Sequence, residues 1–416
     1  MINYFYDCYR ILNKVYSEKS FIKQAISSTD IEEKNRAFTV KTCYGVLDKD
    51  IELSYYIKAF AEKSPKLAVR TILKIGMYDI KYLGKKEYAV IDNAVELVKK
   101  LGKKGASGFV NAFLRKFVKE KDNVKLPEKT EEYLSVKYSY PEFAVRELLK
   151  VYGKERTEKI ISAENQVTTL VFYDVDGEKY LTDRKVNFEK TPFYNVFSAK
   201  NFIRNADYDN GTYTYQALGS VAICEAVEKG DNLLDTCSAP GGKSVRLSHK
   251  FNSVTSWDIH EHRVNLIKEY ASRMKRENVF PSVKDAKEYD KSLDKKYDAV
   301  LVDAPCSGLG VLNDNPDIKL NRTKDDVISL TKEQKGILNT VCNYVKVGGY
   351  LYYSTCSVLD CENIEIIKDF LKTHPEYQSV KLSSEVAYEE KEGAVAFLPD
   401  ISGGLGFFVA KLKRVK

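Results

Sequence analysis

The feature that most restricts the fold of this 416-residue chain is the alternation of short apolar runs with helical stretches after about residue 206. The apolar runs occupy residues 232–234, 253–255, 299–302 and 350–353. Runs of this length, separated by segments of helical periodicity, are typical of strands buried in a parallel sheet. We therefore predict an α/β domain over 206–416, with a Rossmann-like, doubly wound and mainly parallel sheet.

The residues before this domain predict two further parts. Over 1–126 the apolar residues recur at helical spacing, with glycines and prolines between the helical stretches, so an all-helical domain is expected. Short alternating runs such as 169–173 then favour a small connecting α+β subdomain over 127–205. The chain is longer than most single domains built around one hydrophobic core, which agrees with an organisation in several domains.

Composition limits the class of protein. The net charge is +7, with lysines interleaved among acids, which is compatible with a polyanionic partner. No window is apolar for long enough to span a membrane, and the N-terminus has no basic flank before an apolar stretch, so a cytoplasmic protein is expected. The eight cysteines include no Cys-x-x-Cys pair, and the four histidines form no ligand cluster, so we expect reduced thiols and no metal. We also expect a monomer.

One strand-to-helix junction has the composition of a cofactor loop. The strand over 232–234 runs into a turn of small residues that leads into a predicted helix. Glycine lets the backbone approach a ligand closely, and the helix beyond offers unpaired N–H groups. A phosphate-binding P-loop would need a glycine where Cys237 stands, so nucleotide hydrolysis is disfavoured. The candidate cofactor-binding residues of this loop are Cys237, Ser238, Ala239, Pro240, Gly241, Gly242 and Lys243.

Three acidic residues, Asp258, Asp285 and Asp303, follow successive predicted strands. In open α/β sheets the ligand lies outside the carboxyl ends of the strands, so these side chains would line a single crevice. One acid in such a place more often caps a helix or ends a turn, but the repetition favours a binding site. Asp258 suits the two hydroxyl groups of a ribose.

Two cysteines also stand at predicted strand ends. Cys306 follows the strand that ends at Asp303, and Cys356 follows the strand over 350–353. Neighbouring strand ends can bring both thiols and the Asp303 carboxyl into one pocket. This combination suits methyl transfer to C5 of cytosine, which becomes nucleophilic only after a thiolate has added at C6. Asp303 is the candidate acid for N3 of the base, and the second thiol can assist the final elimination.

These residues resemble those of RNA cytosine-C5 methyltransferases. The resemblance spans nearly the whole chain, and its most specific parts are Asp-Ala-Pro-Cys-Ser over 303–307 and Tyr-Ser-Thr-Cys-Ser over 353–357. It implies a class I methyltransferase fold for the C-terminal domain and S-adenosylmethionine as the methyl donor, bound by the cofactor loop and the three acids. It also implies that Cys356 is the nucleophile and that Cys306 helps to release the product.

The helical N-terminal part resembles RNA-binding domains of the NusB family. The resemblance is carried mainly by Leu73-x-x-Gly76-x-Tyr78 and by the run from Gly108 to Arg115. It implies that the RNA partner is small-subunit (16S) ribosomal RNA.

Three other interpretations stay open at this point. A transfer-RNA cytosine-C5 methyltransferase would use the same chemistry on another RNA. A non-catalytic ribosome-assembly factor would bind RNA and need neither thiol. A DNA cytosine methyltransferase would use Cys306 as its nucleophile and leave Cys356 without a role.

Overall fold

The chain forms two compact units in the computed structural model, which describes residues 2–165, 167–200 and 202–416. Unit 1 consists of Met1–Ser162 and Leu312–Thr323. Unit 2 consists of Ala163–Val311 and Lys324–Lys416. The division into three parts at the predicted boundaries stays a prediction. No helix among the described residues is long and apolar enough to cross a membrane.

Unit 1 is helical, and it includes the stretch up to residue 126 for which the sequence predicts helices. The apolar face of its sixth helix, formed by Val90, Ala94, Leu97 and Val98, is buried in the core. Helix α5 is central, because α1, α3, α4, α6 and α7 all pack against it. The helices are α1 (Ile2–Glu18), α2 (Ile22–Ser27), α3 (Glu33–Asp48), α4 (Asp50–Phe60), α5 (Leu67–Lys81), α6 (Glu87–Lys100), α7 (Ser107–Glu120), α8 (Thr130–Tyr138) and α9 (Glu142–Ser162).

A segment from the second half of the chain completes unit 1. Within Leu312–Thr323, the side chain of Lys319 is 2% exposed and donates hydrogen bonds to the carbonyls of Asp48 (2.7 Å) and Ser139 (2.9 Å). The backbone N–H of Ile22 donates to the Asp317 carboxylate at 3.3 Å. These buried polar contacts fix the segment on the helices.

Unit 2 begins with a small antiparallel sheet of strand order β2-β3-β1-β4. The predicted strand over 169–173 corresponds to β1, and the turn that follows caps a helix, because the Lys179 N–H donates to the Asp176 carboxylate at 3.0 Å. The elements are β1 (Thr168–Val171), α10 (Gly177–Asp183), β2 (Phe188–Lys190), β3 (Val196–Ala199), α11 (Ala206–Asp209) and β4 (Thr214–Tyr215).

A larger sheet forms the rest of unit 2, and its order is β11-β12-β13-β9-β8-β5-β6-β7, with β10 also paired to β13. The strands are β5 (Gly230–Asp235), β6 (Phe251–Asp258), β7 (Val279–Val283), β8 (Tyr297–Asp303), β9 (Val345–Thr355), β10 (Tyr377–Val380), β11 (Glu389–Lys391), β12 (Ala394–Phe397) and β13 (Phe407–Arg414). The helices are α12 (Leu218–Ala226), α13 (Gly242–Leu247), α14 (Glu261–Arg273), α15 (Lys324–Val341), α16 (Ile364–Thr373) and α17 (Pro399–Ser402).

The five strands from β5 to β9 run parallel, and β13 is antiparallel to β9. The prediction of a mainly parallel, doubly wound sheet is therefore confirmed. Side chains such as Val300, Leu301 and Leu351 are fully buried, which agrees with their place in continuous apolar runs. The carboxyl ends of β5 to β9 meet at one edge of the sheet, where Asp303 lies beside Ser354 in the register of β8 and β9.

Candidate active site

The loop between β5 and α13 is held in a fixed shape by its own polar groups. The N–H of Ser238 donates to the carbonyl of Trp257 at 2.8 Å, which ties the loop to the end of β6. Below it, the buried Asp235 carboxylate accepts a hydrogen bond from the Ser244 hydroxyl at 2.6 Å. Gly241 has φ +106°, and a Cβ there would lie 3.2 Å from Ile267 Cα, so only glycine suits this turn.

The predicted strand-end acids lie at the same edge of the sheet. Asp258, at the end of β6, is 2% exposed, accepts a hydrogen bond from the N–H of His260 and pairs with Arg263 at 3.3 Å. Asp285 follows β7, and its carboxylate accepts a hydrogen bond from the N–H of Lys287 at 2.9 Å. A cofactor with a ribose and a positively charged sulfonium fits an edge that presents several carboxylates.

Asp303 ends β8 and bonds to both the β5–α13 loop and the end of β9. One carboxylate oxygen lies 2.6 Å from Lys243 Nζ, and the other accepts a hydrogen bond from the Ser354 hydroxyl at 2.8 Å. Burial opposes the charged form of Lys243, but the Asp303 carboxylate outweighs it, so the pKa of Lys243 lies above its usual value. Lys243 is therefore a fixed ammonium group at this edge.

The two predicted cysteines meet. Cys306 Sγ and Cys356 Sγ are 3.3 Å apart, and both side chains are partly exposed. Their loops are joined by backbone hydrogen bonds, since the N–H of Ala304 donates to the carbonyl of Ser354 (2.8 Å) and the N–H of Gly310 donates to the carbonyl of Cys356 (2.9 Å). The structure thus places two thiols, a carboxylate and an ammonium group together.

The pair of thiols is electrostatically asymmetric. The hydrogen bond from the Cys306 thiol lowers the pKa of Cys356 below its usual value, and the Lys243 ammonium acts in the same direction. The same hydrogen bond, together with burial, holds the pKa of Cys306 well above its usual value. Of the two thiols, Cys356 is therefore the one that ionises more readily, which is the property that a nucleophile at this edge would need.

Other cysteines have different surroundings. Cys8, Cys43, Cys224 and Cys342 are buried, as expected for small hydrophobic side chains. Cys237 lies in the loop between β5 and α13, where burial raises the pKa of its thiol well above the usual value. Within the described ranges no group of three or more histidine, cysteine, aspartate or glutamate side chains is arranged to hold a metal ion.

One buried acid at the site was missed by the sequence reasoning. Glu362 is fully buried, and its carboxylate accepts hydrogen bonds from the Ser307 N–H (2.7 Å), the Ser307 hydroxyl (2.5 Å) and the Ser357 hydroxyl (2.5 Å). The only signal in the sequence was that a serine follows each of Cys306 and Cys356. That repetition indicates a shared partner, but it does not identify the partner.

Comparisons with known proteins agree with the fold. Residues 222–413 match a family model described as 16S rRNA methyltransferase RsmB/F, and residues 8–119 match the NusB family. The probable ribosomal RNA small subunit methyltransferase B of Bacillus subtilis is 32% identical to this chain, over 97% of this chain and 95% of its own length. The ribosomal RNA small subunit methyltransferase B of Photorhabdus laumondii is 28% identical, over 92% of both chains.

Solved structures share the fold. The crystal structure of PH0851 has a TM-score of 0.84 at 21% identity and covers 99% of this chain and 98% of that chain. The structure of NSun6 from Pyrococcus horikoshii with SFG has a TM-score of 0.59 at 17% identity and covers 67% of this chain and 99% of that chain.

Proposed function

The chain belongs to the 16S rRNA methyltransferase RsmB/F family, whose members are S-adenosylmethionine-dependent enzymes, and we propose which atom of the RNA it methylates and by which mechanism. It transfers the methyl group to C5 of a cytosine in small-subunit ribosomal RNA, through a covalent bond between Cys356 Sγ and C6 of the base. The observation that carries the proposal is the pair of thiols 3.3 Å apart at the ends of β8 and β9. Methyl transfer to a more nucleophilic atom would need neither thiol.

The proposed reaction begins with Cys356. Its thiolate adds to C6 of cytosine and N3 takes up a proton, which it gives back when the ring is restored. C5 thereby becomes enamine-like, and the Asp303 carboxylate stabilises the adduct by accepting a hydrogen bond from the N3–H. S-adenosylmethionine, when bound, supplies the electrophilic methyl group that C5 attacks. A base then removes the C5 proton, the C5–C6 double bond re-forms and the C6–Sγ bond breaks. Cys356 leaves as a thiolate, and the Cys306 thiol stabilises it by the hydrogen bond seen at 3.3 Å.

The cofactor is proposed to bind along the edge formed by the ends of β5 to β8. The loop 237–243 would lie against it, with Asp258 on the ribose hydroxyl groups, and Asp285 and Asp303 farther along the edge. Arg263, which pairs with Asp258 at 3.3 Å and has an exposed side chain, can move aside when the ribose binds.

A covalent trapping experiment tests the roles of the two cysteines. We expect Cys356→Ala to form no adduct with RNA and no methylated product, because the nucleophile is missing. Cys306→Ala is expected to accumulate a protein–RNA complex that survives denaturing electrophoresis, because release of the thiolate is impaired. Cys361→Ala serves as the control. The reverse pattern, with Cys306 required for the adduct, would indicate the chemistry of DNA cytosine methyltransferases and refute the proposal.

The RNA class is tested with purified enzyme, labelled S-adenosylmethionine and two substrates, protein-free small-subunit RNA and a transfer-RNA pool. The match of residues 8–119 to the NusB family supports the ribosomal substrate. Methylation of the transfer RNA alone would overturn that substrate. Tight binding to ribosomal RNA without any methyl transfer would support a non-catalytic assembly factor instead.

A further inference from the structure

The loops that carry the two cysteines converge on one buried carboxylate. Ser307 directly follows Cys306, and Ser357 directly follows Cys356; both serine hydroxyls donate to the same oxygen of Glu362 at 2.5 Å. The second oxygen accepts the Ser307 N–H at 2.7 Å. The two thiols are therefore linked through their neighbouring residues to a single side chain.

Glu362 has an environment that is unusual for an acid. Its residue exposure is 0%, and no lysine or arginine side chain in the described ranges forms an ion pair with it. A buried carboxylate without a counter-ion is costly unless several donors compensate it. The donors here are the Ser307 N–H, the two serine hydroxyls and Gln334 Nε2 at 3.3 Å. These donors belong to both cysteine loops and to helix α15, so the carboxylate stabilises one particular arrangement of the three.

The surrounding residues prevent Glu362 from moving with either loop alone. Its carbonyl accepts a hydrogen bond from the Tyr353 hydroxyl at 2.6 Å, which fixes its backbone to β9. Gln334 also donates to the carbonyl of Pro305 at 2.9 Å and so reaches the other cysteine loop. The neighbouring Asn363 donates to the carbonyl of Ser357 at 3.0 Å. Glu362 is thus a fixed point from which both loops are positioned.

We infer that Glu362 is a positioning residue for the methyl transfer: its carboxylate holds Ser307 and Ser357 together and thereby sets the distance between Cys306 Sγ and Cys356 Sγ. The inference rests on the proposed division of roles between the two thiols. A displacement of one loop by about 1 Å would take the thiol pair beyond hydrogen-bonding distance, and errors of this size cost catalysis on the order of 100-fold. Among the described residues no hydrogen bond joins the Glu362 carboxylate to either sulfur, so its positioning effect is exerted through the two serines.

The negative charge of Glu362 makes it possible to predict in which direction the pKa of Cys356 changes in each variant. A negative charge close to a thiol disfavours its thiolate, so removing the charge alone would make Cys356 ionise at lower pH. Loss of the hydrogen bond from Cys306 has the opposite effect and is the larger of the two influences on the pKa of Cys356. Separation of the loops and removal of the charge therefore shift the ionisation of Cys356 in opposite directions.

The experiment measures the pH dependence of Cys356 alkylation by iodoacetamide in the full-length enzyme without RNA, with the modified peptide quantified by mass spectrometry. Ser357→Ala keeps the charge of Glu362 and removes one of the two hydroxyl hydrogen bonds to its carboxylate. We therefore expect the pH midpoint of Cys356 alkylation to rise. Glu362→Ala is expected to move it in the same direction although the charge is lost. Glu362→Gln has nearly the same shape and can still bond both serines, so its midpoint is expected to stay or to fall. Glu365→Gln, an exposed acid on α16, is the control.

Steady-state kinetics on the same variants complete the test. For Glu362→Ala we expect kcat to fall on the order of 100-fold, with the KM values for RNA and S-adenosylmethionine nearly unchanged. Glu362→Gln is expected to keep most of the wild-type kcat. If Glu362→Ala does not fold, Ser357→Ala alone carries the prediction. A midpoint that falls or stays in Ser357→Ala would overturn the inference. Because alkylation needs no RNA, failure of the proposed cytosine chemistry would appear separately, as an active Cys356→Ala enzyme.

Discussion

Replacing Gly310 by alanine tests whether the backbone packed behind Cys356 holds its thiol in place. The N–H of Gly310 donates to the carbonyl of Cys356 at 2.9 Å, and its carbonyl accepts the N–H of Gly406 at 2.6 Å. The φ angle of Gly310 is not positive, so alanine can adopt the same backbone conformation. Any effect of the substitution therefore comes from the added methyl group.

The size of the effect follows from the space around that methyl group. Its carbon would lie 2.2 Å from the carbonyl oxygen of Gly406 and 2.8 Å from that of Cys356, whereas real Cβ atoms essentially never come closer than 3.0 Å. Both obstacles are backbone atoms, which cannot rotate away, so one of the segments must move by about 0.8 Å or more. Overpacking of this kind costs about 1–3 kcal/mol of unfolding free energy. A similar shift of Cys356 would lower kcat by up to about 100-fold.

Single-turnover methyl transfer, with the folded fraction measured by urea unfolding, checks both numbers. Gly336→Ala on α15 is a matched control, because its methyl group would meet Lys287 side-chain atoms at an ordinary 3.6 Å and alanine favours a helix by about 1 kcal/mol. We expect the control to be fully active and equally or more stable. A Gly310→Ala enzyme with wild-type kcat and unfolding free energy would show that the packing behind Cys356 does not position the thiol.

The parallel sheet could be predicted because its strands are short apolar runs that end in polar residues. Local periodicity is enough to recognise such strands, and their order in the chain implies one active edge. The insertion of Leu312–Thr323 into unit 1 could not be predicted in this way. It depends on Lys319 meeting a carbonyl 271 residues earlier in the chain, and no local pattern encodes a partner at that distance.

The candidate site shows the same limit within a single pocket. Cys306, Cys356 and Asp303 could be selected because each stands at a strand end, and neighbouring parallel strands bring those ends together. Glu362 could not be selected, because a glutamate just before a helix is usually exposed. Its burial results from donors on two loops, at Ser307 and Ser357, that are separated in sequence by 50 residues and meet only in the folded sheet.

Two further predictions concern ionisable groups beneath and beside the loop between β5 and α13. Burial raises the pKa of Asp235 to about 7, and the negative charge of Asp303 acts in the same direction. Between about pH 4 and pH 7 the folded chain therefore binds one more proton than the unfolded chain. Its free energy of unfolding falls as the pH rises through that window. Urea unfolding at pH 5 and pH 8 measures this. Between these two pH values we expect the free energy of unfolding of the wild type to fall by about 2–3 kcal/mol more than that of Asp235→Asn. An equal pH dependence in both proteins would contradict the prediction. Lys243→Met removes the ammonium that favours the Cys356 thiolate and leaves the Asp303 carboxylate without its partner. Both changes disfavour the thiolate, so the pH midpoint of Cys356 alkylation must rise; a midpoint that stays at the wild-type value would mean that the hydrogen bond from the second thiol is sufficient to activate the nucleophile.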